Sequence, residues 1–188
     1  MKKILLSILV VLAMTSTVFA KDYTLGDIEY GVTAENLCAA LQDGDTLTII
    51  SGGGDVSESR RLAICVNQTD VLVKLRVAYS AATLVTMAAN KVCFGPSAEL
   101  GYHVPHYVRR DGTTKELSMK KLRKSMAWNM KYMKTFGYTT EQAMFITGVT
   151  VMTPPDQIYV LPTNMAVKLL GKRYIGVCKM SAKRRQSN

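Results

Sequence analysis

The sequence predicts an α/β fold built on a parallel sheet. Short apolar runs of strand character, Thr46–Ser51, Val71–Val77 and Lys91–Phe94, alternate with helical segments at Ser57–Asn67 and Ser80–Ala89. Repeated strand-helix-strand units of this size imply parallel pairing with right-handed crossovers. The chain has 188 residues and no visible interdomain linker, which fits one domain with a substantial core.

Each element follows from local pattern. Thr33 to Leu41 reads as a short helix with Thr33 as N-cap and Asn36, Leu37, Ala40 and Leu41 at helical spacing. Asp43-Gly44-Asp45 breaks it before the strand Thr46–Ser51. In the helix Ser57–Asn67, Leu62, Cys65 and Val66 share one side. Ser80 to Ala89 has no breaker and is alanine-rich, so a helix begins at or just after Ser80. Lys91–Phe94 and Leu100–Val104 read as two strands around the turn Gly95-Pro96-Ser97. Glu116 to Thr135 is a long helix, with Met119, Leu122, Met126, Met130 and Met133 recurring at spacings of three and four. Its other faces carry Lys120, Lys121, Arg123, Lys124, Lys131 and Lys134. Thr139 and Gln142 form a capping-box pattern opening the next helix, which Thr153-Pro154-Pro155 stops. A strand at Ile158–Leu161, a helix Thr163–Leu170 closed by Gly171 and a strand Arg173–Lys179 complete the pattern.

The ends differ from the body. Lys2-Lys3, an apolar run from Ile4 to Met14 and the small-residue ending Val18-Phe19-Ala20 read as a signal peptide cleaved after Ala20, predicting a periplasmic or secreted protein. A spanning anchor would need roughly 20 apolar residues, and Thr15, Ser16 and Thr17 interrupt this run. Removing residues 1–20 takes Lys2 and Lys3 but no acid, so the formal charge of +10 falls by two to +8. A basic surface favours anionic partners such as phospholipid headgroups or cell-wall polyanions, or simply keeps the protein soluble. Residues 181–188 contain Lys183-Arg184-Arg185 and read as a disordered basic tail. Between them, residues 21–180 form the single domain, with a helical arm at about 115–150. Cys38, Cys65, Cys93 and Cys178 lack zinc-site spacing and allow three full disulfide pairings, or buried free thiols.

The candidate site lies between Ile49 and His106. Ser51-Gly52-Gly53-Gly54 follows a strand, where glycines can turn main-chain N–H groups toward a developing oxyanion. A serine at a strand-to-helix turn, Ser80, is presented at the sheet edge beside a helix N-terminus. Only His103 and His106 can serve as an imidazole base, and His103 lies 23 residues after Ser80. Ser80 is thus the candidate nucleophile, His103 the base, and Gly53 or Gly54 with Ala81 the oxyanion hole. Asp156 is the candidate to orient the imidazole, with Glu99 and Asp55 as alternatives. Each residue also has a plainer reading: Ser80 as a helix N-cap, His103 as a hydrogen-bonded strand residue, the glycines as a turn.

The order Ser-x-Gly-Gly, a serine at a helix start, His103-Val104-Pro105 and a late Asp resembles the Clp protease proteolytic subunit and its relatives. The Gly137 to Gln142 pattern Gly-x-Thr-x-Glu-Gln, and Asp156 six residues before Pro162, also correspond. The resemblance spans roughly residues 30–178. It implies the ClpP/crotonase-like fold of repeated ββα units with a helical arm, a Ser-His-Asp peptidase without cofactor, peptide or unfolded-protein substrates and self-association into rings or trimers. With the leader, it points to an exported branch of that superfamily. Two departures bear on the pocket: Gly52 stands where the family's turn has proline, and bulky Tyr79 precedes Ser80.

Two other functions fit the sequence. One keeps the fold without its chemistry, as a binding or assembly module working through the basic Met-striped helix and tail. An acyl-coenzyme A enzyme of the crotonase fold would share the strand-helix units but fits poorly with export. A phosphate-binding loop is excluded, because no Gly-Lys-(Ser/Thr) follows the glycines, and specific nucleic-acid binding is not expected.

Overall fold

The computed structural model describes residues 20–179 except 109, 110 and 112. Nearly all of the leader, residues 1–19, and the tail 181–188 therefore lie outside the described residues.

A six-stranded sheet runs through the domain in the order β1 (Asp22–Leu25), β2 (Thr46–Ser51), β3 (Leu72–Tyr79), β4 (Lys91–Tyr102), β5 (Tyr159–Val160), with β6 (Tyr174–Val177) also pairing with β4. The first four strands are parallel, β6 joins β4 in parallel, and β5 is antiparallel. β4 holds both because it is long: Val92 and Phe94 face β6, and Gly101 and Tyr102 face β5. The helices are α1 (Thr33–Ala40), α2 (Val56–Gln68), α3 (Ala82–Ala88), α4 (Met119–Thr135), α5 (Thr140–Met152) and α6 (Thr163–Leu170).

The core sits between the sheet and α2 and α3. Alternation on β2 and β3 buries Leu47, Ile49, Val73 and Leu75, against Leu62, Ala63 and Val66 of α2 and every residue of α3. Only small or well-packed side chains suit a helix enclosed on all sides, hence Ala82-Thr83-Leu84-Val85-Thr86-Met87-Ala88. Deleting a core side chain such as Leu62, fully enclosed here, costs about 2–5 kcal/mol by cavity formation. Side-chain caps fix the starts of α2 and α5. The Asp55 carboxylate accepts from Ser57 N (2.8 Å) and Glu58 N (2.9 Å) at the start of α2, and the Thr139–Gln142 capping box opens α5 as predicted.

Several elements depart from the sequence-based expectation. The Gly95-Pro96-Ser97 segment lies within one continuous strand, with Ser97 at φ 53° and the β3–β4 register shifting between Leu75 and Val77. The chain absorbs proline and the left-handed residue as an irregularity of the strand. Thr33 is the first residue of α1 after N-cap Val32, and its hydroxyl instead accepts from Glu29 N at 2.9 Å. The long basic helix starts at Met119, because Thr114–Glu116 pairs with His106–Val108 in a separate two-stranded hairpin. Strand β1 carried too short an apolar pattern to be read. The methionine stripe divides: Met126 and Met133 are buried, whereas Met119 is exposed.

Cys93 and Cys178 form a disulfide that ties the end of β6 to β4, with Cα atoms 4.9 Å apart. Cys38 and Cys65 are free thiols, and burial together with the neighbouring Cys65 pushes Cys38 up to about 12. None of the three full pairings open to the sequence is thus formed: one disulfide joins Cys93 to Cys178 and two thiols stay free.

Candidate active site

Ser80 occupies the turn between β3 and α3 with φ 52°, in the left-handed region that costs a side-chain-bearing residue about 1–2 kcal/mol. Its main chain is held on both sides: Ser80 N donates to Gly101 O at 2.9 Å, and Ser80 O accepts from Thr83 N (3.1 Å) and Thr83 Oγ1 (2.7 Å). The hydroxyl does not cap. Ala81 is the N-cap of α3 and no side chain caps that helix, so the plainer reading of Ser80 as an N-cap does not hold. Backbone strain maintained by surrounding structure, around a hydroxyl with no structural task, is the kind of feature that collects at reactive sites.

The glycine loop is built against this turn. Ser51 Oγ accepts from Gly53 N at 3.1 Å, Gly52 N donates to Asp27 Oδ1 at 2.8 Å, and Ile28 clamps the loop through Ile28 N to Gly53 O (2.7 Å) and Asp55 N to Ile28 O (2.8 Å). At Gly53, φ 110°, a Cβ would stand 2.7 Å from Ser80 Cβ and 2.9 Å from Tyr79 O. At Gly54, φ 126°, it would stand 2.2 Å from Ile28 O. Glycine is required at both positions for close main-chain approach as well as for backbone angle. Of the three amides considered for an oxyanion hole, that of Gly53 is engaged by Ser51, while those of Gly54 and Ala81 have no acceptor among the described residues.

His103 directly follows β4 and is buried, 8 % exposed. The Thr153–Pro155 segment runs beside it: Val104 N donates to Thr153 O at 2.9 Å, and His103 Nδ1 lies 3.1 Å from Pro155 O. A carbonyl only accepts, so Nδ1 carries the proton and Nε2 keeps the free lone pair that a general base needs. Burial lowers the His103 pKa below its ordinary value, His106 with its ring centroid 5.1 Å away adds to this, and the Pro155 carbonyl opposes it. The imidazole is therefore neutral at pH 7.

Ser80 and His103 both line a small cavity of about 60 Å³ and a wide cleft of about 1020 Å³ that opens from it. The small cavity is walled largely by apolar side chains, among them Val56, Leu84, Met87, Met133 and Ile146, and the buried Tyr102 hydroxyl there has no hydrogen-bond partner. Ser80 Oγ and His103 do not hydrogen-bond in this conformation, a contact that in ligand-free sites often tightens only when substrate binds.

The other named acids lie elsewhere. Asp156 is exposed, and the group that accepts a hydrogen bond from His103 Nδ1 is the main-chain carbonyl of its neighbour Pro155. Glu99 accepts a hydrogen bond from Tyr79 Oη, which raises the Tyr79 pKa, and Asp55 is committed to its helix cap. Bulky Tyr79 is accommodated by Gly101, where a Cβ would meet the Tyr79 ring at 2.6 Å. Sequence reasoning missed the Pro155 carbonyl, which leaves no side-chain signal, and the cleft residues Arg60 and Trp128. An acid followed three residues later by Glu58 was a readable capping signal for Asp55.

The fold and site together define a ClpP-fold α/β domain with a serine on a strained turn beside a histidine. A solved structure of a mutant 1510-N membrane-bound stomatin-specific protease in complex with a substrate peptide superposes with a TM-score of 0.62 at 15% identity, covering 85% of this chain and 74% of that one. ClpP1 from Listeria monocytogenes matches with a TM-score of 0.58 at 18% identity over 86% and 92% of the two chains. The ClpP protease catalytic domain from Plasmodium falciparum gives 0.58 at 15% identity over 85% of each. At these identities the likeness is one of fold. No family model and no curated protein sequence matches the chain.

Proposed function

We propose that the chain is an exported serine peptidase-like hydrolase acting on peptides or unfolded protein, with Ser80 as nucleophile and His103 as base. The observation that carries this is the strained turn at Ser80, whose hydroxyl does no capping and faces the same cavity as a neutral, buried imidazole. His103 Nε2 takes the Ser80 proton as Oγ attacks the scissile carbonyl. The amides of Gly54 and Ala81 meet the oxyanion, a contribution of about 3–4 kcal/mol per donor in sites of this kind. The imidazolium then gives its proton to the leaving amine, and water, activated by the same nitrogen, releases the acyl group. Asp156 completes the triad in this reading by turning its carboxylate toward the imidazole in the working conformation. Export rests on the leader-like residues 1–20, and self-association on the exposed apolar side chains of α5, Met144, Phe145 and Met152.

The second reading, a binding module that retains the fold without the chemistry, is favoured by the missing Ser80–His103 hydrogen bond. Reaction of the full chain with a fluorophosphonate probe, read by peptide mass, separates the two. Labelling at Ser80 that vanishes in Ser80→Ala and in His103→Ala supports the hydrolase. A folded protein that stays unlabelled across pH and oligomer fractions overturns it.

A further inference from the structure

The wide cleft carries more positive charge than acyl transfer at Ser80 requires. Among the described residues Arg60, Lys121 and Lys124 line it against a single carboxylate, Asp55, and that carboxylate is turned onto the amides of α2. Arg60 is the unusual member. Its guanidinium is half-buried over the rings of Trp128 (5.7 Å) and Tyr132 (5.9 Å), Nη2 donates to Asn129 Oδ1 at 3.3 Å, and Nε is enclosed with no acceptor. No carboxylate lies within ion-pair distance of it among the described residues, whereas the adjacent Arg61 pairs with Glu58 at 3.0 Å. A partly desolvated cation touched by neutral groups, with Asp55 acting on it only from beyond ion-pair distance, is a costly arrangement that an incoming anion relieves. Its planar fork suits a carboxylate in particular. Lys121, steadied against Tyr107, and Lys124 add charge along the same cleft wall.

We propose that the cleft selects peptides bearing a carboxylate close to the bond presented to Ser80, with Arg60 as its receptor and Lys121 and Lys124 as flanking charges. The assignment rests on the peptidase reading for its substrate class but not for its test. The carboxylate can come from an Asp or Glu side chain or from the peptide's own C-terminus, and the arms of the experiment separate these.

Binding is measured on full-length Ser80→Ala, which needs no turnover, by the fluorescence of Trp128, the chain's single tryptophan, which lines the cleft beneath Arg60. Three N-acetylated peptides of one apolar sequence are compared at low salt: Glu-containing with an amidated end, Gln-containing with an amidated end, and Gln-containing with a free end. The Glu peptide is expected to bind about 10-fold or more tightly than its amidated Gln counterpart, the size of a charge-assisted hydrogen bond. Arg60→Gln in the Ser80→Ala background should erase most of that ratio, and Lys124→Gln, at an exposed position, should reduce it about 2- to 3-fold even if Arg60→Gln fails to fold. Preference for the free-ended Gln peptide alone assigns the carboxylate to the chain end. Equal binding of all three, no binding of any, or a ratio unchanged in both charge variants overturns the proposal. Fluorophosphonate labelling is independent of this result: a carboxylate preference without labelling keeps the subsite and removes the hydrolase, and labelling without preference does the reverse.

Discussion

Gly53→Ala tests the construction of the site more directly than removal of any side chain. The new Cβ would stand 2.7 Å from Ser80 Cβ, 2.9 Å from Tyr79 O and 3.2 Å from Ala81 N, so the atoms in the way belong to the turn itself and to no flexible side-chain end. Two costs add. Holding an alanine at φ 110° costs about 1–3 kcal/mol, and forcing a methyl group into a filled space costs about 1–3 kcal/mol more, for a total of about 2–6 kcal/mol. Gly44→Ala supplies the control, since Gly44 has φ 88° but open space around its Cβ direction. It should show the conformational cost alone, about 1–2 kcal/mol, with Ser80 labelling unchanged. In Gly53→Ala the turn has to shift, and a displacement near 1 Å lowers reaction at Ser80 about 100-fold. Denaturant unfolding gives the two stabilities, and fluorophosphonate labelling under native conditions gives the rates. Wild-type labelling in Gly53→Ala, or a loss of stability no greater than in Gly44→Ala, would refute the view that the glycine loop is fitted to the Ser80 turn.

Labelling should require neutral His103, whose pKa is lowered first by burial and then by His106, so the acid limb of the wild-type pH profile should have its midpoint below 6.5. His106→Ala should move that midpoint upward, still short of the ordinary value because burial remains; no shift or a downward one counts against the assignment. Asp55→Ala removes the α2 cap and should cost about 1–2 kcal/mol in denaturant unfolding. Burial opposes the Asp55 charge, but hydrogen bonds from Ser57 and Glu58 outweigh it and set the folded pKa below 3.8. The Asp55 contribution is thus present above about pH 4 and lost as pH falls through the folded value, and the acid slope of stability should be shallower in Asp55→Ala. Replacing Cys93 and Cys178 together by serine opens a cross-link between residues 85 apart in sequence and should cost about 2–5 kcal/mol in the same assay. Asp156→Asn should slow labelling of Ser80 if its carboxylate joins the imidazole during reaction, and leave the rate unchanged if the Pro155 carbonyl is the sole orienting group.

The legible parts of the fold were those whose pattern is local. The Thr139–Gln142 box, the Gly171 stop and the alternation of β2 mark their own positions, and the bounds of β2 and α6 agree with the reading. Elements defined by a distant partner were not legible. The hairpin His106–Val108 with Thr114–Glu116 is largely exposed, Tyr107 and Val108 included, so no buried face wrote an alternating pattern into it. β1 is a four-residue edge strand with one buried side chain, Leu25. Gly95-Pro96-Ser97 has turn chemistry, yet continuous pairing of β4 on either side carries the strand through it. At the site the same division holds. Ser80, His103 and the glycines were readable because their side chains, or lack of them, are the signal. The carbonyl that meets His103 was not, since every residue has one, and only folding brings Pro155 to Nδ1.

That carbonyl bears on how the site works. It fixes the tautomer as well as an acid would, but it carries no net charge with which to stabilise the imidazolium that the proposed proton transfer from Ser80 would form. Burial and His106 already disfavour that cation, and the cleft beside it holds Arg60, Lys121 and Lys124. As it stands, then, the site keeps His103 neutral while making its protonated form expensive. Negative charge arriving near the imidazole shifts that balance. Asp156 could supply it from a segment already hydrogen-bonded to the ring, and a substrate carboxylate in the basic cleft could supply part of it while neutralising the cations opposite. Under the proposed mechanism either route would tie proton transfer from Ser80 to a filled cleft, and would account physically for a serine and a histidine that share one cavity yet remain unjoined by a hydrogen bond in the empty protein.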